Sequence, residues 1–571
     1  MKSRIFILSF LCLGILASCE GYLDKPLETT QNEDFTFASY TNAITVAHSM
    51  YADLPQGLSQ IWASGGSAMI ASATDEAEFA VQNHNVQKYN LGTWKATDMP
   101  DNPFNTYYAS IRKAYNFIAN ADKINFDDVK DNPAQPGVYE KYLDDIENFK
   151  TEMMLLRAYY MFELVKRYGG VPIVSEKLDV DVPYETIQRA SLEDCINEII
   201  YWCDETAKSL PVKQTYTERE GRVTKGVALA LKSQVLLYAA SELWNNPSWA
   251  AGYPNPEYIS LPEGSREERW EAAAKAAKAV IDMETEAGYA LDTYANLFGA
   301  TAYNSPEVIF GRRDGNNNSF EKINYPIHYD GVTGGNCPSQ NLVDMFQVLT
   351  NGVAEDFSWS NPAHAADPYS NRDPRLAQFV ITNNSQYKGV AVQCWTGGID
   401  GAGVRNATPT GYYLKKYVNE GLNLNNNQTA NHTWILIRLG EIYLNYIEAL
   451  NEYSPGHADI KVYYDKIRTR AGMPGLPEGL TQDQVRKLIR QERAVELCFE
   501  GQRFFDLRRW MDKDALKASL RSVEITKTDS GFDYEPYDLE TRTFEDHMYL
   551  YPYPQSELLK MPHWKQNPGW E

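Results

Sequence analysis

The chain has 571 residues, 43% hydrophobic and 23% charged, with a mean hydropathy of −0.47. These figures exclude a short disulfide- or metal-stapled scaffold and a polytopic membrane protein. Its 54 Lys and Arg stand against 76 Asp and Glu, and the net charge of −22 repels a phosphate backbone, so a nucleic-acid partner is not expected.

Lys2 and Arg4 open the chain, and Ile5 to Leu16 is an apolar run of twelve residues, too short to span a bilayer as a helix. Leu16-Ala17-Ser18-Cys19 resembles a bacterial lipobox, in which the cysteine thiol is acylated and the chain is cut just before it. An ordinary signal peptide with Ala-x-Ser cleavage is the alternative. The reading predicts a signal peptide over 1–18, lipidation at Cys19, a flexible lipid-anchored leash over 19–34 and one domain over 35–571. Each buried CH₂ contributes about 0.8 kcal/mol, so the two or three chains of a lipoprotein hold a body that itself stays in solvent.

Helical periodicity follows from Phe37 to Leu54, from Phe104 to Asp122 and from Tyr139 to Tyr168, the last apolar on nearly all sides and therefore buried. Ser191-Leu192-Glu193-Asp194 reads as a capping box opening a helix to Leu210. Val223 to Trp244 and the alanine-rich Arg266 to Met283 read as neighbours in a helical stack. Between about 287 and 432 the character changes to Gly, Asn, Pro and scattered aromatics, a loop-rich insertion where binding groups are expected. From Trp434 to Glu452 a helix is predicted, with Arg438, Glu441, Asn445, Glu448 and Glu452 as one wet stripe. Thr481-Gln482-Asp483-Gln484 caps a last long helix running to Phe499. The fold predicted is mostly α, a tetratricopeptide-like superhelix of helical pairs. Its scaffold covers 35–286 and 433–571, and the insertion over about 287–432 carries the ligand face and minor β structure.

Catalytic signatures are missing from the sequence. There is no G-x-S-x-G elbow, no phosphate loop and no H-E-x-x-H, and the seven cysteines include no C-x-x-C pair. Cys195 and Cys203, eight apart in a predicted helix, are too distant for a disulfide and read as small buried hydrophobes. Gly401 to Asn406 lacks the third glycine of a dinucleotide loop, and Asp314 to Asn318 lacks the glycine of a calcium loop. The eight histidines stand apart from one another. Glu492 and Glu496, at i and i+4, approach the carboxylate separation of a retaining glycosidase, yet Arg493, Arg503, Arg508 and Arg509 crowd them, so a paired charge network accounts for the cluster. No catalytic residue, metal or cofactor is expected.

Several stretches in order resemble a known family: Arg157-Ala158-Tyr159-Tyr160, Arg167-Tyr168-Gly169-Gly170-Val171-Pro172, Gly221 to Gly226, Asn371-Arg372-Asp373-Pro374-Arg375, Gly411 to Lys416, Glu500 to Trp510, and Asn567-Pro568-Gly569-Trp570. Behind a lipobox, this series is similar to the SusD/RagB family of surface glycan-binding lipoproteins. The resemblance implies a right-handed helical scaffold with a loop-rich ligand face and no catalysis. It also implies an address on the outer membrane facing outward and a SusC-like TonB-dependent transporter as partner. The matching motifs carry no ligand contacts to transfer.

A sugar ring offers a C–H face and a rim of hydroxyls, so its receptor is an aromatic platform with polar neighbours. Candidates are the aromatics outside helical periodicity: Trp94 with Tyr89 and Asn83, then Phe320, Tyr325 and Tyr329 following Arg313, then Trp359 and Trp395. Tyr159, Trp244, Trp434 and Trp510 are assigned to the core. A pocket holding Arg312 and Arg313 would override the acidic net charge for an anionic glycan. Two other readings stay open: a protein- or peptide-binding helical-repeat receptor, and a surface glycoside hydrolase.

Overall fold

The computed structural model describes residues 33–176, 182–329 and 333–570. The expected signal peptide, Cys19 and nearly all of the leash lie outside these residues. Ten helices of eight residues or more are found among them. They are α1 (Tyr40–Ala52), α2 (Phe104–Asn120), α3 (Val138–Tyr168), α4 (Leu192–Ala207), α5 (Lys225–Ala240), α6 (Arg266–Ile281), α7 (Leu439–Tyr453), α8 (Ala458–Arg470), α9 (Gln482–Glu496) and α10 (Gln502–Arg509).

Local chemistry sets their ends. The Ser191 hydroxyl accepts from the Asp194 amide at 3.0 Å to start α4, and Thr481 and Gln484 form a reciprocal capping box at α9. Gly169, at φ +71°, ends α3 in the left-handed region that glycine enters without strain. Consecutive helices pack side by side from α2 to α6, and α7 returns after the insertion to pack on α6 and on α5. That zigzag of antiparallel pairs is the predicted mostly α, tetratricopeptide-like architecture. Because α3 and α5 are covered on both sides, the run from Met153 to Val165 is buried all round.

One predicted helix starts in the wrong place. Ala430–Arg438 is a strand, paired antiparallel with Val308–Asn317, and α7 begins only at Leu439. The supposed wet stripe is not wet: Arg438, Glu441, Asn445 and Glu448 are 1%, 2%, 1% and 4% exposed. The spacing placed them on one face, and that face points inward because other helices bring charges to meet it.

Between the arms of this ribbon lies the insertion, built from short helices and two-stranded pairs such as 380–381 with 413–414, and its strand 336–338 pairs with 77–79 from the earlier part of the chain. A buried ionic knot fastens it to the scaffold. Arg375 of the insertion meets Asp373 at 2.7 Å, Glu492 at 2.5 Å and Glu496 at 2.9 Å. Arg438 meets Glu307 at 2.7 Å, Glu496 at 2.8 Å and Glu500 at 2.7 Å, and Lys416 meets Glu500 at 2.7 Å. Burial pushes the Glu496 carboxyl up, but Arg470, Arg438 and Arg375 outweigh it and hold it well below the ordinary carboxylate range. Glu492 and Glu496, at 2% and 0% exposure, are closed to any substrate.

The motifs singled out in the sequence are structural in the same sense. Arg222 pairs with Asp145 and Glu152, Arg503 with Asp75, and Arg509 with Glu448 and Asp506. The Asn567 amide donates to the carbonyls of Tyr168 and Tyr551. Tyr159, Trp244, Trp434 and Trp510 lie in the core, as do free Cys195 and Cys203.

Candidate functional site

Most of the aromatics proposed as platforms have their faces covered. Trp94 is 3% exposed, with Tyr89, Tyr551 and Trp570 packed edge-on at 5.0, 5.0 and 4.6 Å between ring centroids. Tyr89 donates its hydroxyl to that of Tyr551 at 2.7 Å. Phe320 and Tyr325 are 4% and 1% exposed. These four are corrections: the loops that carry them lie over the core, and their apolar rings point into it.

Three more are partly covered. Tyr329 stands against Tyr325 and Tyr387 and donates to the Tyr387 carbonyl at 2.8 Å. Trp359 packs on Phe357 and donates its indole N–H to Asp344 at 3.2 Å. Trp395 lies 5.2 Å from Phe532 at an interplanar angle of 35°, with the Lys527 ammonium 4.8 Å from its ring. None of the three rings stacks on either of the others. Arg313 is exposed, its guanidinium 4.5 Å from the Tyr303 ring centre.

A different tryptophan is bare. Trp62 is 73% exposed and touches no other ring among the described residues. It stands on a hairpin, Ile61–Ala63 paired with Gly66–Ala68 in the register Ile61↔Ala68, Trp62↔Ser67, Ala63↔Gly66. Side chains alternate across a strand, so with Ile61 and Ala68 fully buried, Trp62 must face outward. The turn needs glycine twice, at φ +106° for Gly65 and +120° for Gly66.

The hairpin is braced from two sides. On one, the Asn85 amide donates to the Trp62 carbonyl at 2.8 Å and His84 Nε2 lies 3.0 Å from the Gly66 carbonyl. Burial lowers the His84 pKa, so the neutral ring donates this bond at neutral pH. On the other, a Cβ on Gly66 would stand 3.1 Å from Ile323, which belongs to the short helix Ser319–Asn324. Asn83, exposed on the bracing loop, makes no hydrogen bond within the described protein and keeps its amide free. Next to the short helix, the Thr333 amide donates to the Lys322 carbonyl at 3.1 Å, and the buried Gly334 donates to the Asn406 carbonyl at 2.7 Å, tying in the loop around 399–406. That loop shows Ile399 and Val404 to solvent.

A flat indole on a hairpin held at its backbone can stack on a C–H face. Of the sequence candidates, only Asn83 lies on the loop that braces the hairpin. Trp62 was legible in principle, because Ile-Trp-Ala and Ser-Ala-Met flank Ser-Gly-Gly in an alternating hairpin pattern. No cluster of potential metal ligands occurs among the described residues. None of their helices is long and apolar enough to cross a membrane.

The stack of helical pairs thus carries a bare indole on a short braced hairpin. Comparison with known proteins gives it a family: residues 306–570 match the SusD family, and residues 21–237 match a SusD-like family described as starch-binding associating with outer membrane. The chain belongs to the SusD/RagB family. It is similar to SusD-like protein P2 of Formosa agariphila, 24% identical over 424 residues that make up 70% of each chain. A SusD-like protein from Bacteroides fragilis, 25% identical, superposes with a TM-score of 0.75 over 94% of this chain and 98% of its own. Two further structures share the fold. Surface glycan-binding protein A from Bacteroides uniformis has a TM-score of 0.63 at 17% identity, covering 93% of this chain and all of its own. A laminarin-binding SusD-like protein has a TM-score of 0.62 at 20% identity, covering 93% and 100%.

Proposed function

We propose that this protein is a non-catalytic glycan receptor, anchored through Cys19 to the outer membrane, that captures oligosaccharide on the Trp62 face and passes it to a SusC-like TonB-dependent transporter. The observation that carries the reading is Trp62, at 73% exposure on a hairpin fixed by Asn85, His84 and Ile323. A bare indole on a braced hairpin offers a stacking ligand a flat face with few rotamers left to order. Relatives named for binding laminarin or surface glycans, and a family described as starch-binding, support the same ligand class.

Stacking a nucleic-acid base on an aromatic ring contributes about 1–3 kcal/mol, and a sugar ring less. Two or three such contacts with a few hydrogen bonds reach about −4 to −8 kcal/mol, millimolar to micromolar binding. Affinity of that order lets an oligosaccharide be released onward. The burial of Glu492 and Glu496 inside arginine pairs speaks against hydrolysis.

Affinity electrophoresis of the mature protein through gels containing laminarin, starch, xylan or pectin tests the reading. Retardation in at least one gel, with no new reducing ends, is expected. Free migration in every gel, or release of sugar by the pure protein, would overturn it. For the anchor, the full chain with Cys19→Ser should leave the membrane fraction and become soluble. Persistence of that variant in the membrane would contradict the lipid attachment.

A further inference from the structure

Two cavity lobes of about 370 and 340 Å³ share the wall formed by Glu220, Gly221, Arg222, Gly311 and Arg313, and together make one cleft across the 308–317 strand. Most charges around it are already spoken for. Arg222 is paired with Asp145 and Glu152, Arg312 with Asp314, and Glu218 with Lys141. Arg313 and Lys213 have no ionic or hydrogen-bonding partner among the described residues, and Glu220 is the one unpaired carboxylate on the lining. The cleft therefore carries a surplus of positive charge in a chain whose net charge is −22.

Arg313 is also held in place. Its guanidinium lies over the Tyr303 ring at 4.5 Å, and the backbone of Gly221, at φ +84°, comes so near that a Cβ there would stand 3.2 Å from Arg313 Nε. An exposed arginine ordinarily loses side-chain entropy on being fixed by a ligand. The Tyr303 ring and the Gly221 backbone take part of that freedom in advance, on a guanidinium that makes no ion pair among the described residues. A planar fork fixed in that way is prepared for two-point hydrogen bonding to an oxyanion.

We propose that this cleft is a second saccharide subsite, distinct from the Trp62 face, that takes the anionic substituent of an acidic sugar on Arg313 with Lys213 as the second cation. The inference rests on the glycan-receptor reading for its ligand class. The shared chemistry is an oxyanion on a sugar, either a uronate carboxylate or a sulfate ester.

Calorimetric titration with a galacturonate hexamer, its methyl-esterified neutral form and a chondroitin 4-sulfate hexamer distinguishes the sources. The wild type should bind at least one acidic hexamer ten times more tightly than the neutral one, and Arg313→Gln should erase that preference with the melting temperature unchanged. Lys213→Gln should reduce it in part, and added salt should weaken only the acidic ligand. Whichever hexamer gains names the oxyanion. Equal binding of acidic and neutral hexamers, or a preference that survives Arg313→Gln, would overturn the subsite. Neutral binding lost in Trp62→Ala with no acidic preference in the wild type sinks the subsite and keeps the receptor reading. An Arg313-dependent thermal shift with monomeric galacturonate or galactose 6-sulfate, in a protein that no polysaccharide gel retards, keeps the subsite and sinks that reading. No binding of any probe sinks both.

Discussion

The ionic knot around Glu496 and the hairpin carrying Trp62 invert the usual placement of residue types. In the knot, charges are buried at 0–2% exposure for Arg375, Arg438, Glu492 and Glu496, while on the hairpin an indole is 73% exposed. Each exception has its compensation or its use. The buried charges neutralise one another through short ion pairs that also tie the insertion to the scaffold. The exposed ring has no partner in the described protein, which leaves its partner to be found outside. The lesson is that unusual burial distinguishes what holds this fold together from what it offers to a ligand.

Breaking the knot should give the largest effect. Arg375→Ala leaves Glu492 and Glu496 without a shared cation, and loss of one partner from a buried pair costs about 3–5 kcal/mol. Denaturant titration should show that loss, and a change below about 1 kcal/mol would mean the knot is peripheral. Trp94→Ala should cost a similar amount, about 3–5 kcal/mol, through the cavity left among Tyr89, Tyr551 and Trp570. Its glycan binding, measured on the fraction that remains folded, should match the wild type.

A smaller effect comes from pH. Burial, with Asp75 beside it, pushes the Glu76 carboxyl up from 4.5 to about 8. The folded state thus holds a proton that the unfolded chain releases. This contribution is complete below about pH 4.5, declines as the pH rises and is gone above about 8. Glu76→Gln removes it, so the melting temperature of the wild type should fall more than the variant's between pH 5 and pH 8.5. Glu448 has the opposite sign. Burial pushes it up, but Arg509 outweighs this and holds it at about 2, so its contribution is present above about pH 4.5 and lost as the pH falls toward 2. Glu448→Gln should flatten the acid limb of the stability curve. The smallest stability effect belongs to Trp62→Ala, within about 0.5 kcal/mol, because an exposed side chain leaves no cavity.

Much of the scaffold was legible in the sequence because its signals are local. The capping residues Ser191 and Thr481, and the all-round apolarity of Met153 to Val165, depend on neighbours within a few turns. The stripe from Arg438 to Glu448 was misread because 3–4 spacing identifies a face without saying what that face meets. Arg493 and Arg509, which meet it, arrive from helices 48 and 61 residues further along. The strand over Ala430–Arg438 was hidden by an apolar run, Trp434 to Ile437, that suits helix and strand alike. The site was harder still. Trp94 follows a Gly-Thr turn and looks like a loop residue, but Tyr551 and Trp570, more than four hundred residues later, close over it. Trp62 sits on strands of three residues, so its one signal is the Ser-Gly-Gly turn between two short alternating runs, which is weak beside the long helical periods around it.

Calorimetric titration of the wild type and Trp62→Ala with whichever glycan retards the wild type in the gel panel addresses the central claim most directly, with circular dichroism confirming equal folding. The account predicts at least a tenfold loss of affinity in the variant, with the Trp359→Ala and Trp395→Ala controls near wild type. Unchanged affinity in Trp62→Ala would show that the bare indole is not the platform.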